Sequence, residues 1–569
     1  MLATCAAFRM CHFRAASLAG TAALALCSAS ALGSGPAAAA TVSKLVRVSS
    51  GDPFAGCTAD NVKRQEQSGN VFWPGSEAET FVAADPGDPD KLVVGFQQDR
   101  WTDGGSRGTV ARVSRNGGAS WKQTIPPGNS ACTGGPFDRA SDPWVSVAPD
   151  GTAYFSSLVI DVSNKGQDTT SGITVNRSAD GGLTWSKAVT LIKDPDTQLL
   201  NDKDSVTADP TKPGYAYTVW DRLAGSCAED DEGGEGGGAS DLRHLAPGAT
   251  VAAAHDGVAM AQARMRRALA GQAPLAPSAG GTDTCRGPVL FSRTTDGGRT
   301  WEKARIIYDP GAGRTTLGNQ IVVEPDGTLV DFLTRLDFNK ATAEIVLVRS
   351  HDKGKTFGAP VVVSGIQLTS FGVATPDPPH YLVRTTLTVF DVAADPKSGN
   401  LYAVWEDGRF GGIDTIVLSA STDGGTSWTE PVQVSQTPNS TNKFRRQAFI
   451  PSVEVGPGGV VVVTYYDFRN DKPTGELADY WAAFCDPGAA KCSARGGWGG
   501  EVRLTDRSFD LLKAPITTNE LFIGDYMGLT RAGNDVVAAF AIVDGTNQPS
   551  IYSRRITTGG GKAAVASAQ

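Results

Sequence analysis

Four short clusters in this chain combine an acid, an arginine and an aromatic ring: Asp99-Arg100-Trp101, Trp220-Asp221-Arg222, Trp405-Glu406-Asp407-Gly408-Arg409 and Tyr466-Asp467-Phe468-Arg469. Three more set acids beside a ring or a lysine: Ser141-Asp142-Pro143-Trp144, Asn201-Asp202-Lys203-Asp204 and Gly524-Asp525-Tyr526. Guanidiniums from separate segments can grip one carboxylate with paired hydrogen bonds, and acids between aromatic walls suit a hydroxylated ligand, including an anionic one. The blander reading is local: an acid followed closely by Arg at the end of a repeated strand makes an ion pair that holds its own loop. Asp194, Asp196, Asp202 and Asp204 offer hard oxygens of the kind calcium prefers, but their spacing matches no calcium loop, and a solvated acidic loop explains them; no other cofactor is expected. None of the five His pairs at ligand spacing, and Ser/His/Asp chemistry has no support.

These residues act together only if a repeated framework gathers them. One eight-residue phrase, Ser/Thr-x-Asp-x-Gly-x-Ser/Thr-Trp, occurs five times, at 114–121, 178–185, 294–301, 350–357 and 421–428, with Asn116 for Asp in the first and Phe357 for Trp in the fourth. Its Asp and glycines suit a hairpin turn, and its Trp starts the returning strand with a ring to bury, so the phrase reads as structure. Between the phrases runs a second repeat: an apolar strand, a Pro or Gly turn, then a strand ending in an acid, seven times from Val82 to Asp544. Each unit then offers four short antiparallel strands with almost no helix, which predicts an all-β, seven-bladed β-propeller. The last unit lacks a fourth strand, and the segment 44–48 is expected to supply it and close the ring. Turns and phrases fall on one face of the units, so the acid, Arg and aromatic clusters share the other.

Residues 1–40 read as a secretory signal: Arg9 and Arg14, an apolar run over 15–32, then Ala37 to Ala40 for cleavage. The mature chain loses two Arg and no acid, taking the formal charge from −8 to −10, which argues against nucleic acid and anionic membranes as partners. Six Cys remain, an even number that suits disulfides outside the cell; spacing allows Cys57–Cys132, Cys227–Cys285 and Cys485–Cys492. The propeller is expected over 41–556 as a monomer, interrupted at 224–286 by a Gly- and Ala-rich insertion, partly disordered, with a short helix near 258–269. A disordered tail over 557–569 follows.

The repeated phrase resembles the Asp-box, or BNR, repeat of the sialidase (neuraminidase) superfamily. That resemblance covers about 42–556 and implies a secreted glycoside hydrolase of exo-α-sialidase type acting on a glycan. It implies Tyr526 as nucleophile, Glu406 to draw off its proton, Asp142 as general acid, and Arg222, Arg409 and Arg469 for the sugar carboxylate, with Arg100 and Asp525 as further substrate contacts. The family's Phe/Tyr-Arg-Ile-Pro signature is missing from the first unit, where it would supply an Arg, and Phe449-Ile450-Pro451 lacks that Arg. The alternative is a non-catalytic propeller that binds a glycan or a protein.

Overall fold

The computed structural model describes residues 40–60, 66, 70–162, 169–195, 199–224, 285–369, 372–385, 389–472, 475–486, 491–518 and 520–558. The signal segment, most of the insertion with Cys227 and the expected helix, and the tail from 559 lie outside them. So does Asp196.

The chain is all-β, with several antiparallel sheets and short 3-10 turns. Units three to six are meanders that start at Leu199–Ala208, Arg314–Val323, Phe390–Ala394 and Ala448–Val455. Units one and two, starting at Phe72–Asp85 and Arg139–Val147, are joined by the Ser106 to Ala140 pairing into one eight-stranded sheet. Unit seven has Gly528–Ala532, Asp535–Gly545 and Gln548–Thr557, and the N-terminal strands Thr41–Val42 and Val46–Arg47 pair with the last of these. The first strands pack side by side in chain order, and that of unit seven packs on that of unit one. Among the described residues no helix is long and apolar enough to cross a membrane.

The repeated phrase holds neighbouring units together. In the second copy the Ser178 hydroxyl bonds the Asp180 carboxylate and accepts Gly182 N–H, while Asp180 accepts the Thr184 N–H and hydroxyl. Gly182 has φ 90°, and a Cβ there would come within 2.9 Å of Val113 in unit one, so the turn demands glycine. Arginines carry the connection onward: Arg177 donates to Gly297 O, Arg293 to Lys353 O, Arg349 to Gly424 O, and Arg555 of unit seven to Gly117 O of unit one. Phrase aromatics bury against the unit before: Trp301 on Tyr154, Phe357 on Phe291, Trp428 on Phe332. Cys57–Cys132 and Cys485–Cys492 are bonded, and Cys285 is in a disulfide.

An acid sits unpartnered in the core of unit four. Asp331, paired between Ile321 and Val348, is fully buried and neither carboxylate oxygen has a hydrogen-bond partner. Burial first, then the nearby Asp221, push its carboxyl well above the ordinary range. The folded chain therefore holds this proton more tightly than the unfolded chain, so stability declines as pH rises from the unfolded value towards the folded one. Asp331→Val is expected to stabilise the fold by about 1–3 kcal/mol and to flatten that slope, as read by urea unfolding at several pH values. A variant no more stable than the wild type would mean that the acid has a partner after all.

Candidate active site

Five first strands carry the same irregularity. In each, two residues face one on the neighbouring strand, and the first of the two has a left-handed backbone: Glu79 (φ 50°), Asp142 (φ 47°), Lys203 (φ 46°), Gly318 (φ 72°) and Ile450 (φ 52°). This is a β-bulge whose first position favours glycine, and a side chain there costs about 1–3 kcal/mol. Gly318 meets the demand. Glu79, Asp142 and Lys203 do not, and their charged ends meet.

The Lys203 ammonium donates to Asp525 Oδ2 at 2.7 Å and Glu79 Oε1 at 3.1 Å and forms an ion pair with Asp142 Oδ2 at 3.2 Å, so carboxylates from units one, two and seven surround it. Asp525 is brought in by Gly524 (φ 128°), where a Cβ would stand 2.8 Å from Glu79 N. Its other face takes a bidentate grip from Arg384, with Nε to Oδ1 and Nη2 to Oδ2 both at 2.9 Å. Gln97 bonds both Glu79 and Ser141, Ser141 bonds Asp142 Oδ1, and Arg100 Nη1 donates to Gln97 Oε1 at 2.6 Å. Phe81 stacks on Trp144 with ring centres 3.6 Å apart, and Tyr526 leans on Trp144 at 5.3 Å. Over the cluster run the segment 372–385, which delivers Arg384, and the hairpin Ile516–Thr517 with Glu520–Leu521; Val383 pairs with Leu521, and Phe522 lies against both Arg100 and Arg384. Glu79, Asp142, Lys203, Asp525 and Tyr526 are 1–7% exposed and Arg384 is fully buried.

Crowding sets the charges. Burial first, then Asp142, push Glu79 well above the ordinary range. Burial alone would raise Asp525 too, but Arg384 and Lys203 hold it well below. Lys203 is the converse: burial would lower it, and Asp142, Asp525 and Glu79 keep it protonated. A carboxyl that keeps its proton beside one that stays ionised is the arrangement acid-base catalysis uses.

The structure brings together Asp142, Asp525 and Tyr526 of the residues named from the sequence, with Arg100 one hydrogen bond away through Gln97. It places the others elsewhere. Arg222 pairs with Asp194, Arg409 turns back on Asp407 and the Gly365 carbonyl, and Arg469 is held by Asp467 and Glu501 over the Trp481 ring. Arg409 and Arg469 make the local ion pairs of the blander reading, Arg222 instead reaches an acid 28 residues away while its neighbour Asp221 serves Gly318 and Asn319, and the three guanidiniums do not converge on one carboxylate. Glu406 and Tyr526 have separate partners. Glu406 accepts Ile450 N–H at 2.7 Å and the Thr385 hydroxyl at 2.7 Å, capping the bulge of unit six as Asp221 caps Gly318 at 2.6 Å. Tyr526 donates to Pro143 O at 3.2 Å, and burial first, then Glu79, Asp142, Asp204 and Asp525, push its hydroxyl well above 10, which opposes a tyrosinate nucleophile. For calcium, Asp194 is taken by Arg222 and Asn201, Asp202 by Lys203 N–H, and Asp204 is buried. Among the described residues, the group of donors within metal-ligand proximity is Cys57, Asp60 and Cys132, whose sulfurs are bonded to each other.

Glu79 and Arg384 were not singled out by residue type, and Lys203 was noted only as part of the cluster Asn201 to Asp204, with no role given to it. A positional signal exists for Glu79 and Lys203: in each of the five bulged strands the bulge stands seven residues before the turn proline, as Glu79 to Pro86, Asp142 to Pro149, Lys203 to Pro210, Gly318 to Pro325 and Ile450 to Pro457. Arg384 lies outside the repeat and has no such marker.

No protein-family profile and no curated protein matches the chain. Among solved structures it is similar to a Dyadobacter fermentans protein of unknown function (14% identity, 86% of this chain and 98% of that one, TM-score 0.41). It is also similar to the NanB sialidase of Streptococcus pneumoniae (10% identity, 92% and 99%, TM-score 0.41) and to an α-L-arabinanase of Penicillium chrysogenum (14% identity, 72% and 92%, TM-score 0.37). These likenesses are weak and assign neither substrate nor site residue to this chain.

Proposed function

We propose that this chain is an exported, sialidase-like seven-bladed propeller that hydrolyses glycosidic bonds where its first strands converge. Cyclic packing of those strands and the pairing of the N-terminal strand with unit seven support the propeller. Glu79 acts as proton donor to the leaving oxygen, Asp142 as the opposed carboxylate, and Lys203 with the Asp525–Arg384 pair positions both. The observation that carries this reading is the strain: three consecutive units spend unfavourable backbone on titratable side chains that meet at one ammonium, and such outliers cluster at working sites. Ile450 shows that the bulge alone does not demand a charge.

The test is turnover of a broad panel of 4-methylumbelliferyl glycosides by the mature protein. Asp142→Asn is expected to lower turnover of any accepted substrate by about 100-fold or more while circular dichroism stays unchanged. A second reading, a glycan-binding propeller without catalysis, is favoured by the nearly complete burial of the cluster beneath 372–385. It predicts no turnover on the whole panel alongside retention on immobilised glycans.

A further inference from the structure

We infer that the converging site takes an uncharged sugar in preference to a carboxylated one, an inference that rests on the glycan reading above but not on catalysis. A carboxylated sugar needs cations that face it with donors to spare. Lys203 donates to Glu79 and Asp525 and has the Asp142 carboxylate 3.2 Å away, so protein acids already surround its charge. Arg384 lends its Nε and Nη2 edge to Asp525, a carboxylate already seated in the bidentate position a ligand's would take. Arg100 gives Nη1 to Gln97 and lies on the Phe522 ring at 4.0 Å. Arg222, Arg409 and Arg469, which the sequence offered for this work, are taken by the protein acids Asp194, Asp407 and Asp467. An incoming carboxylate would have to displace a protein acid from a buried ion pair and would leave that acid without its partner, a cost of several kcal/mol.

What the site does offer is suited to hydroxyls and ring faces. Asp142 Oδ2, which has no hydrogen-bond partner, is an acceptor for a sugar hydroxyl, and the Phe81, Trp144 and Tyr526 group lies beside it, with the Lys203 ammonium 5.5 Å from the Tyr526 ring centre.

The experiment is a glycan array probed with the mature wild-type protein, carrying matched pairs of glycans with and without a terminal carboxylated sugar. The expected result is retention on the uncharged member at least about 10-fold above its partner, little changed from about 0.05 to 0.5 M salt. Preference for the carboxylated member, or retention on neither, would overturn the inference. Retention on uncharged glycans with no turnover of any aryl glycoside upholds it and removes the hydrolase; turnover of the sialoside with no uncharged glycan retained does the reverse. Asp525→Asn supplies a gain-of-function arm: in a variant that keeps the wild-type circular dichroism, loosening the Arg384 pair is expected to raise retention of carboxylated glycans about 10-fold. An unchanged preference in that folded variant counts against the proposal, and should the variant not fold, the wild-type array decides.

Discussion

Lys203→Met is expected to be among the most destabilising single substitutions in this chain, costing about 3–5 kcal/mol at neutral pH. Methionine retains much of the lysine stem's volume, so packing against Tyr526 changes little and the loss isolates the charge. Removing the ammonium leaves Glu79, Asp142 and Asp525 facing one another in a space only 1–3% exposed, with Arg384 bound to one of the three. The sign with pH follows. Without the cation Glu79 rises further above its unfolded value and Asp525 loses one of the two cations that hold it low, so the folded variant binds more protons than the folded wild type and its stability falls more steeply as pH rises. The gap between variant and wild type should therefore widen from pH 5 to pH 8, as measured by urea unfolding at each pH. A loss below about 1 kcal/mol, equal at both pH values, would mean that the acids do not depend on the ammonium.

The framework was legible because it repeats. Turn chemistry in the Asp-Gly-Gly phrases, strand lengths between prolines and acids, and an unpaired strand at each end of the chain all depend on neighbours in sequence, and the pairing of 41–47 with Gln548–Thr557 follows from them. The site depended on register instead. Strand alternation predicts which face a side chain takes, and a bulge with a left-handed residue breaks alternation at that residue, so Glu79 reads as an ordinary strand residue and the cluster at Lys203 gives no sign that its ammonium meets Glu79 and Asp142. Arg409 and Arg469 misled for a related reason. Residue type shows that a guanidinium is present but not where its charge is spent, and an acid two positions away, Asp407 or Asp467, reaches it at lower conformational cost than a ligand on the far side of the sheet. Glu406 was read as a base because it ends a strand on the right face. Its carboxylate satisfies Ile450 N–H, a donor that exists only because the bulge turns it away from the strand ladder.

Glu79→Gln is expected to lower turnover of an aryl glycoside by about 100- to 10,000-fold, with KM little changed, because glutamine keeps the side chain's shape and one accepting oxygen but has no proton to give. Tyr526→Phe separates this mechanism from a tyrosine-nucleophile one. Its hydroxyl serves only the Pro143 carbonyl, so its loss should cost about 1 kcal/mol of stability and leave turnover within a few-fold of wild type, where a nucleophile's loss would abolish it. The pH profile adds a third handle. The donor must be protonated, so the alkaline limb of kcat/KM reports Glu79, which burial first and then Asp142 hold above its ordinary value. Asp142→Asn removes the second cause, and in the residual activity of that variant the alkaline limb should move to lower pH. Such a shift, measured with a substrate whose leaving group does not titrate, ties the proton to Glu79 and the field to Asp142. An alkaline limb that stays in place, or a Tyr526→Phe variant as inactive as Glu79→Gln, would return the chemistry to the tyrosine and leave the three strained bulges as scaffold.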